Sequence, residues 1–261
     1  MTDNTSLGDR MKGYEQATRL VLPRRTYTLM RVDIRAAHGY LRGAVKPYDE
    51  QFMADMDAAA EALCREVSGA VFAFTQSDEI SVLACDFAAP GTQPWFGGVA
   101  AKMVSISAAV ATATLNARRP GMALFDSRVF TIADPREVAS YFVWRQRDCV
   151  RNSITMAAQA QFPHKRLHGV NTGQMQEMLR QEKGINWNDY PDGCKRGRVV
   201  VKASGVRPVT FVHKHTREVQ TVDAFRSWWE TGPAPHFTAE PGGFLSEVVP
   251  VMPGLRDPVA A

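Results

Sequence analysis

The sequence predicts an α+β fold, an antiparallel sheet in ferredoxin-like order with helices on one face and helical additions after it. Three observations lead there. Four runs rich in β-branched and aromatic residues, 26–33, 71–74, 80–83 and 125–132, are separated by helical periodicity, giving the order β-α-β-β-α-β. The two middle runs flank Thr75-Gln76-Ser77-Asp78-Glu79, a connection short enough for a hairpin. A long helical pattern opens at Asp134-Pro135, once that order is complete.

In chain order, residues 7–22 read as a helix stopped by Pro23-Arg24-Arg25, and the first strand follows. After Pro47, Phe52, Met56, Ala59, Leu63 and Val67 recur at helical spacing until Gly69 ends the helix. Beyond the hairpin, the loop Ala88-Ala89-Pro90-Gly91-Thr92 leads to a helix through Lys102 that ends near Arg119-Pro120-Gly121. The strand over 125–132 comes next. Asp134 then suits an N-cap and Pro135 the first helical position, and Pro163 stops that helix. A shorter helix is predicted over 172–181 and a strand pair over 199–202 and 209–213. The tail from Thr231, with Pro233, Pro235, Pro241, Pro250 and Pro253, reads as irregular.

Bulk properties exclude more than they assign. The 261 residues, 45% apolar, suit one large domain or two small ones. A net charge of +4 permits a nucleic-acid partner without requiring one. Cys64, Cys85, Cys149 and Cys194 form no CxxC pair and fit free, buried thiols in reduced, cytoplasmic conditions. The start, Met1-Thr2-Asp3-Asn4-Thr5-Ser6, lacks the apolar stretch of a secretion signal, and its glycosylation sequon is a chance match. Residues 97–116 are apolar, but Lys102 and many Ser and Thr interrupt them, as in a buried helix rather than a membrane span. No phosphate-binding P-loop, dinucleotide glycine motif or GxSxG elbow occurs.

Three acids stand out. Asp33 ends the first strand, and Asp78 and Glu79 lie in the hairpin connection. A carboxylate beside an apolar run is costly to bury unless it is paired or holds a cation. In the predicted order these strands are neighbours, so Asp33 and Asp78 with a backbone carbonyl could hold two Mg²⁺ ions for phosphoryl chemistry. The same residues also fit a plain reading, with Asp78 and Glu79 in a turn and Asp33 closing a strand. Arg31, Arg35, Lys46 and Lys102 could meet a triphosphate, or simply face solvent. Arg145, Arg147 and Arg151 lie on the helix from Asp134, where they could grip an RNA 5′ end or form a solvated basic face. His164 and His168 lack a partner acid for a metal site, and Trp228-Trp229 fits core or interface better than base stacking.

In this order and spacing, Arg31-Val32-Asp33, His38, Lys46-Pro47-Tyr48-Asp49, Gln76-Ser77-Asp78-Glu79, Phe125-Asp126-Ser127-Arg128 and Trp144-Arg145-Gln146 resemble the tRNA-histidine guanylyltransferase family, the 3′–5′ nucleotide-adding enzymes. The resemblance spans roughly residues 8–202. It implies a polymerase-palm-like catalytic core over residues 1–135 and a helical extension with short strands and an irregular tail over 136–261, packed as one unit. It also implies two Mg²⁺ ions, ATP and GTP or another NTP as substrates, a tRNA partner, and a homotetramer without membrane attachment. Carried over by position, Asp33, Asp78 and Glu79 are the catalytic acids, and the metals rest on Asp33, Asp78 and the main-chain carbonyl of Ile34. Nucleotide binding falls to Asp33, Ile34, Arg35, Ala36, Ala37, His38, Lys46, Asp49, Ser77 and Lys102. An RNA end or second triphosphate falls to Arg31, Arg128, Arg145, Arg151 and Asn152.

Two departures carry expectations. Ile34 stands where the family usually has Gly, and a positive φ there would be strained. Asp148-Cys149 is followed by Val150-Arg151-Asn152-Ser153-Ile154-Thr155-Met156, which is similar to the bacterial and phage-type guanylyltransferase-like branch. That branch favours template-directed repair of 5′-truncated tRNAs. The Ile34 departure also leaves open a non-catalytic RNA- or nucleotide-binding protein on the same fold, and a cyclase-like enzyme is a third reading.

Overall fold

A computed structural model describes residues 6–238 and 240–252. The elements run α1 (Leu7–Gln16), β1 (Tyr27–Ile34), α2 (Ala37–Tyr40), α3 (Glu50–Glu66), β2 (Ala70–Gln76), β3 (Glu79–Cys85) and α4 (Ala100–Arg118). There follow β4 (Phe125–Ile132), α5 (Pro135–Gln161), α6 (His164–Leu167), α7 (Thr172–Lys183), α8 (Asp192–Arg196), β5 (Arg198–Val212), β6 (Val219–Pro233) and α9 (Phe244–Val248). The strands form one sheet in the order β4-β1-β3-β2-β5-β6, with every neighbouring pair antiparallel. Its first four strands have the predicted ferredoxin-like order.

Strand alternation sorts the side chains onto two faces. Met30, Val32 and Ile34 of β1 with Ile80 and Val82 of β3 meet α3 and α4 on one. The α3 stripe is Phe52, Met56, Leu63, and Asp49 caps the helix by accepting the Phe52 N–H at 2.8 Å. Small residues on α4, Ser107 and Ala111, let it lie close. The two core helices thus share one face, as the sequence order requires. On the opposite face Tyr27, Leu29, Phe72, Phe74 and Leu83 meet Val138 and Phe142 of α5 and the tail residues Phe237 and Leu245. Each such buried side chain contributes on the order of 1.5–3 kcal/mol. At 27 residues, α5 outruns the sheet, and its C-terminal half forms a third core with Met175 and Leu179 of α7 and Trp187.

The C-terminal half differs from expectation. The runs 199–202 and 209–213 do not pair with each other. Both belong to the 15-residue β5, whose partner is the equally long β6. Gly205 and Pro208 break the local pattern, yet beyond Val201 β5 has β6 as its one sheet neighbour. A strand with one open edge tolerates proline. Thr231 and Pro233 fall in β6 rather than in an irregular tail, Trp229 packs against the first core, and α9 forms within the tail. The first helix stops at Gln16, because Leu20, Val21 and Leu22 instead bridge to Gly98, Val99 and Ala100 where α4 begins. Residues 1–5, which include most of the polar start, and Pro253 lie outside the described residues. No helix among the described residues is long and apolar enough to cross a membrane.

Candidate active site

β1 ends beside the hairpin turn. Asp33 sits opposite Glu79 on one side and Asp126 on the other, and the Ile34 N–H donates to the Asp78 carbonyl at 3.2 Å. Alternation puts Ile34 in the first core and turns Asp33, like Arg31, toward the α5 side. Ile34 is extended backbone at the end of β1; positive φ falls instead on Ala36 at +55° and on Ser77 at +45°. The strain anticipated at Ile34 is therefore absent, and with it the main ground for a non-catalytic reading. Positive φ at Ser77 but not at Asp78 is the pattern of a II′ hairpin turn, which usually takes glycine first.

From above, α5 presents Tyr141, Arg145, Asp148 and Asn152 at spacings of four, three and four, one stripe of the helix. Arg145 donates twice to Glu79, each at 2.8 Å, and once to Asp148 at 2.9 Å. Arg31 lies 3.8 Å from Glu79, Tyr141 bonds Ser81 at 2.9 Å, and Asp148 also pairs with Arg151. Arg145 and Glu79 are buried, so this bidentate pair fixes α5 against the turn. Asp33 and Asp78, by contrast, have no ion pair among the described residues. Burial, reinforced by Asp78, Glu79 and Asp126, pushes the Asp33 carboxyl up to about 6.

These groups line a cavity of about 390 Å³ that carries four carboxylates, Asp33, Asp78, Glu79 and Asp148, against the two guanidiniums of Arg31 and Arg145. The surplus is two negative charges. Two carboxylates without ion pairs among the described residues are oxygen donors suited to a hard divalent cation. No cluster of three acidic, His or Cys side chains forms a ready cage among the described residues. Mg²⁺ needs none, because it is commonly held by one or two carboxylates together with substrate phosphates.

A larger cavity, about 530 Å³, adjoins it across a shared wall of Gln76, Ser77, Asp78 and Asn152. Of the expected nucleotide-binding residues, Ala37, His38, Lys46, Asp49 and Ser77 line it. Asp33 lines the smaller cavity, while Ile34, Arg35 and Ala36 line neither. The Arg35 N–H donates to the Leu124 carbonyl at 2.7 Å. Lys102 is not brought in: it lies in the first turn of α4, beside the Ala100 to Leu20 bond that precedes β1, at the far end of the sheet from Asp33. The near end of α4 supplies Arg119, which bonds Asp49 at 3.1 Å and thereby makes Asp49 a brace as well as a lining residue. Burial pushes the lining thiols Cys149 and Cys194 up to about 12 and about 11, which leaves them protonated and poor nucleophiles.

Among the expected RNA contacts, Arg31, Arg145 and Asn152 line the smaller cavity. Arg151 is exposed and paired with Asp148, and Arg128 is exposed beside Asp126 at 3.6 Å. The sequence gives no sign of Arg42 in the larger cavity, and it offers Tyr48 there and Trp144 and Asp148 in the smaller only as members of motifs, without a role. The four-three-four stripe on α5 was the signal available for Asp148.

The family model described as tRNAHis guanylyltransferase matches residues 8–133. A bacterial tRNA(His) guanylyltransferase-like protein in complex with ATP is 37% identical, with a TM-score of 0.76 over 88% of this chain and 94% of that one. The same kind of bacterial protein in complex with GTP is 35% identical, with a TM-score of 0.72 over 89% and 94%. The tRNA(His) guanylyltransferase of Schizosaccharomyces pombe is 26% identical over 212 residues, 74% of this chain and 78% of that one. The crystal structure of the Saccharomyces cerevisiae enzyme, 23% identical with a TM-score of 0.63, covers 72% of this chain and 91% of that one, and supports the fold.

Proposed function

This chain belongs to the tRNA(His) guanylyltransferase family of nucleotidyltransferases, and we propose that it adds nucleotides to the 5′ end of tRNA in the 3′–5′ direction. The observation that carries the reading is the pair Asp33 and Asp78, without ion pairs among the described residues, Asp33 lining the smaller cavity and Asp78 the wall that it shares with the larger. The larger cavity suits a nucleoside triphosphate, ATP or GTP, and the smaller one the reacting 5′ end.

The chemistry takes two displacements. A 5′-phosphate oxygen attacks the α-phosphorus of ATP, and pyrophosphate leaves. The 3′-hydroxyl of an incoming NTP then attacks the activated 5′ phosphorus, loses its proton, and releases AMP. Asp33, Asp78 and the Ile34 carbonyl would hold Mg²⁺, two ions in the full arrangement, which supply hydroxyl activation and leaving-group neutralisation when bound. Glu79 acts by holding Arg145, and so α5, over the turn. His38, Lys46 and Arg42 meet phosphates from the wall of the larger cavity. Template-directed repair of shortened tRNAs is the specific task that the likeness of the run after Asp148-Cys149, Val150 to Met156, to the bacterial and phage-type branch supports.

A homotetramer fits the exposed apolar surfaces. The helix α1 buries none of its residues and presents Leu7, Met11 and Tyr14 along one stripe, and the β5–β6 ribbon exposes Val206, Val219 and Phe225. A ten-residue helix without packing is marginal in water.

The test is incorporation of labelled GTP into a 5′-truncated tRNA with ATP and Mg²⁺. Wild-type protein extends the RNA, and a folded Asp78→Ala variant does not. Tight tRNA binding by the wild type with no incorporation would overturn the reading.

A further inference from the structure

Trp144 is 52% exposed, although its neighbours Arg145 and Gln146 on α5 are buried. A large aromatic ring left in water forgoes the burial that usually holds tryptophan inside. The ring is nonetheless held. The Arg145 guanidinium carbon lies 4.3 Å from its centroid, and Tyr141 meets it edge-on at 5.8 Å. Arg145 is itself pinned by Glu79 and Asp148. One part of the ring is thus covered by a fixed cation, and the rest opens on the cavity of Asp33 and Asp78.

A rigid, open indole beside a phosphoryl-transfer site suits a flat π-system, and the shared chemistry is a nucleobase. Two sources exist, the base of a triphosphate and the terminal base of the RNA. Trp144 does not line the larger cavity, where the triphosphate belongs, and its exposure suits the end of a polymer that continues into solvent. We propose that Trp144 is the stacking platform for the base of the RNA's 5′-terminal nucleotide, the one whose phosphate reacts. This rests on the 5′-end transfer reading above. Stacking tolerates every base, so the platform would place successive 5′ ends at Asp33 and Asp78 regardless of sequence.

The test is equilibrium binding of a 5′-monophosphorylated RNA stem, with an intact or an abasic 5′-terminal nucleotide, to wild-type protein, Trp144→Phe and Trp144→Ala. ATP binding is measured beside it, and thermal melts confirm folding. Loss of the indole should weaken intact RNA about ten-fold, with Trp144→Phe between, and should leave ATP affinity within about two-fold. Removing the terminal base should cost the wild type a similar factor and cost Trp144→Ala nothing further. Undiminished RNA binding by Trp144→Ala, or equal abasic losses in both proteins, overturns the platform. Loss of ATP rather than RNA affinity assigns the ring to the triphosphate and overturns it too. If no form binds the RNA, the 5′-end reading fails with it. If the wild type binds and extends RNA that Trp144→Ala binds equally well, the platform alone fails.

Discussion

The two ends of the sheet are completed in opposite ways. At the acid end, long-range pairs within the chain finish the structure: Arg145 reaches Glu79 across 66 residues, and Ile34 bonds Asp78. At the other end the chain leaves apolar surface uncovered. From Arg198 opposite Thr75, β5 runs away from the turn and parts from β2 after Val201. Its ribbon with β6 then exposes Val206, Val212, Val219 and Phe225 by more than half. The helix α1 leads into this same end. The contrast separates a site closed by internal charge pairing from a ribbon whose apolar side chains face outward.

Arg145→Ala removes the internal pairing of the acid end and has the largest expected effect. It leaves the buried Glu79 carboxylate with the looser Arg31 contact at 3.8 Å in place of its bidentate partner, which costs about 3 kcal/mol. A melting temperature roughly 10 °C lower follows, measurable by differential scanning calorimetry, together with loss of nucleotide transfer. A paired Arg145→Met, Glu79→Met variant should regain much of the stability without regaining activity.

Asp33→Asn separates function from stability. Transfer falls by roughly 100-fold or more, since an acid proposed to hold the metal is gone. Without divalent ions the fold gains stability, because the carboxyl is raised to about 6 when folded against about 3.8 when unfolded. The folded state resists ionisation, so the native Asp33 destabilises fully above pH 6 and not below pH 4. The variant should therefore melt higher than wild type at pH 8, by on the order of 1 kcal/mol, and equally at pH 3.5. Identical melts at both values would remove the like-charge argument.

Val206→Ser with Phe225→Ser should act the other way. Unfolding of the protomer shifts by about 0.5 kcal/mol or less, as for other exposed sites, while light scattering shows dissociation of the homotetramer proposed above. The smallest effect concerns the thiols. Cys194, raised to about 11, should alkylate slowly at pH 8, and ATP should slow it further by filling the cavity it lines.

Much of the acid end was legible because its signals are local. The first strand, the hairpin over Ser77-Asp78 and the Asp134-Pro135 helix start were each written within a few residues. The antiparallel order then placed Asp33 beside the turn. The clamp was not legible, because which acid Arg145 meets depends on how α5 crosses the sheet. The place of Lys102 was not legible for the same reason: nothing local says which end of α4 faces Asp33. The ribbon escaped notice because Gly205 and Pro208 interrupt its pattern. Cross-strand pairs such as Ser204 with Ser227 and Thr210 with Thr221 hold it instead.

In the proposed site, the two acids without ion pairs among the described residues hold the metal, while the clamped Glu79 holds the helix. Mn²⁺ binding in the presence of ATP, followed by electron paramagnetic resonance, tests it on wild type, Asp33→Asn, Asp78→Asn and Glu79→Gln. The account predicts that the two Asp variants lose affinity by about ten-fold or more and that Glu79→Gln stays within a few-fold of wild type. An equal loss in Glu79→Gln, or undiminished binding by Asp33→Asn and Asp78→Asn, would contradict it.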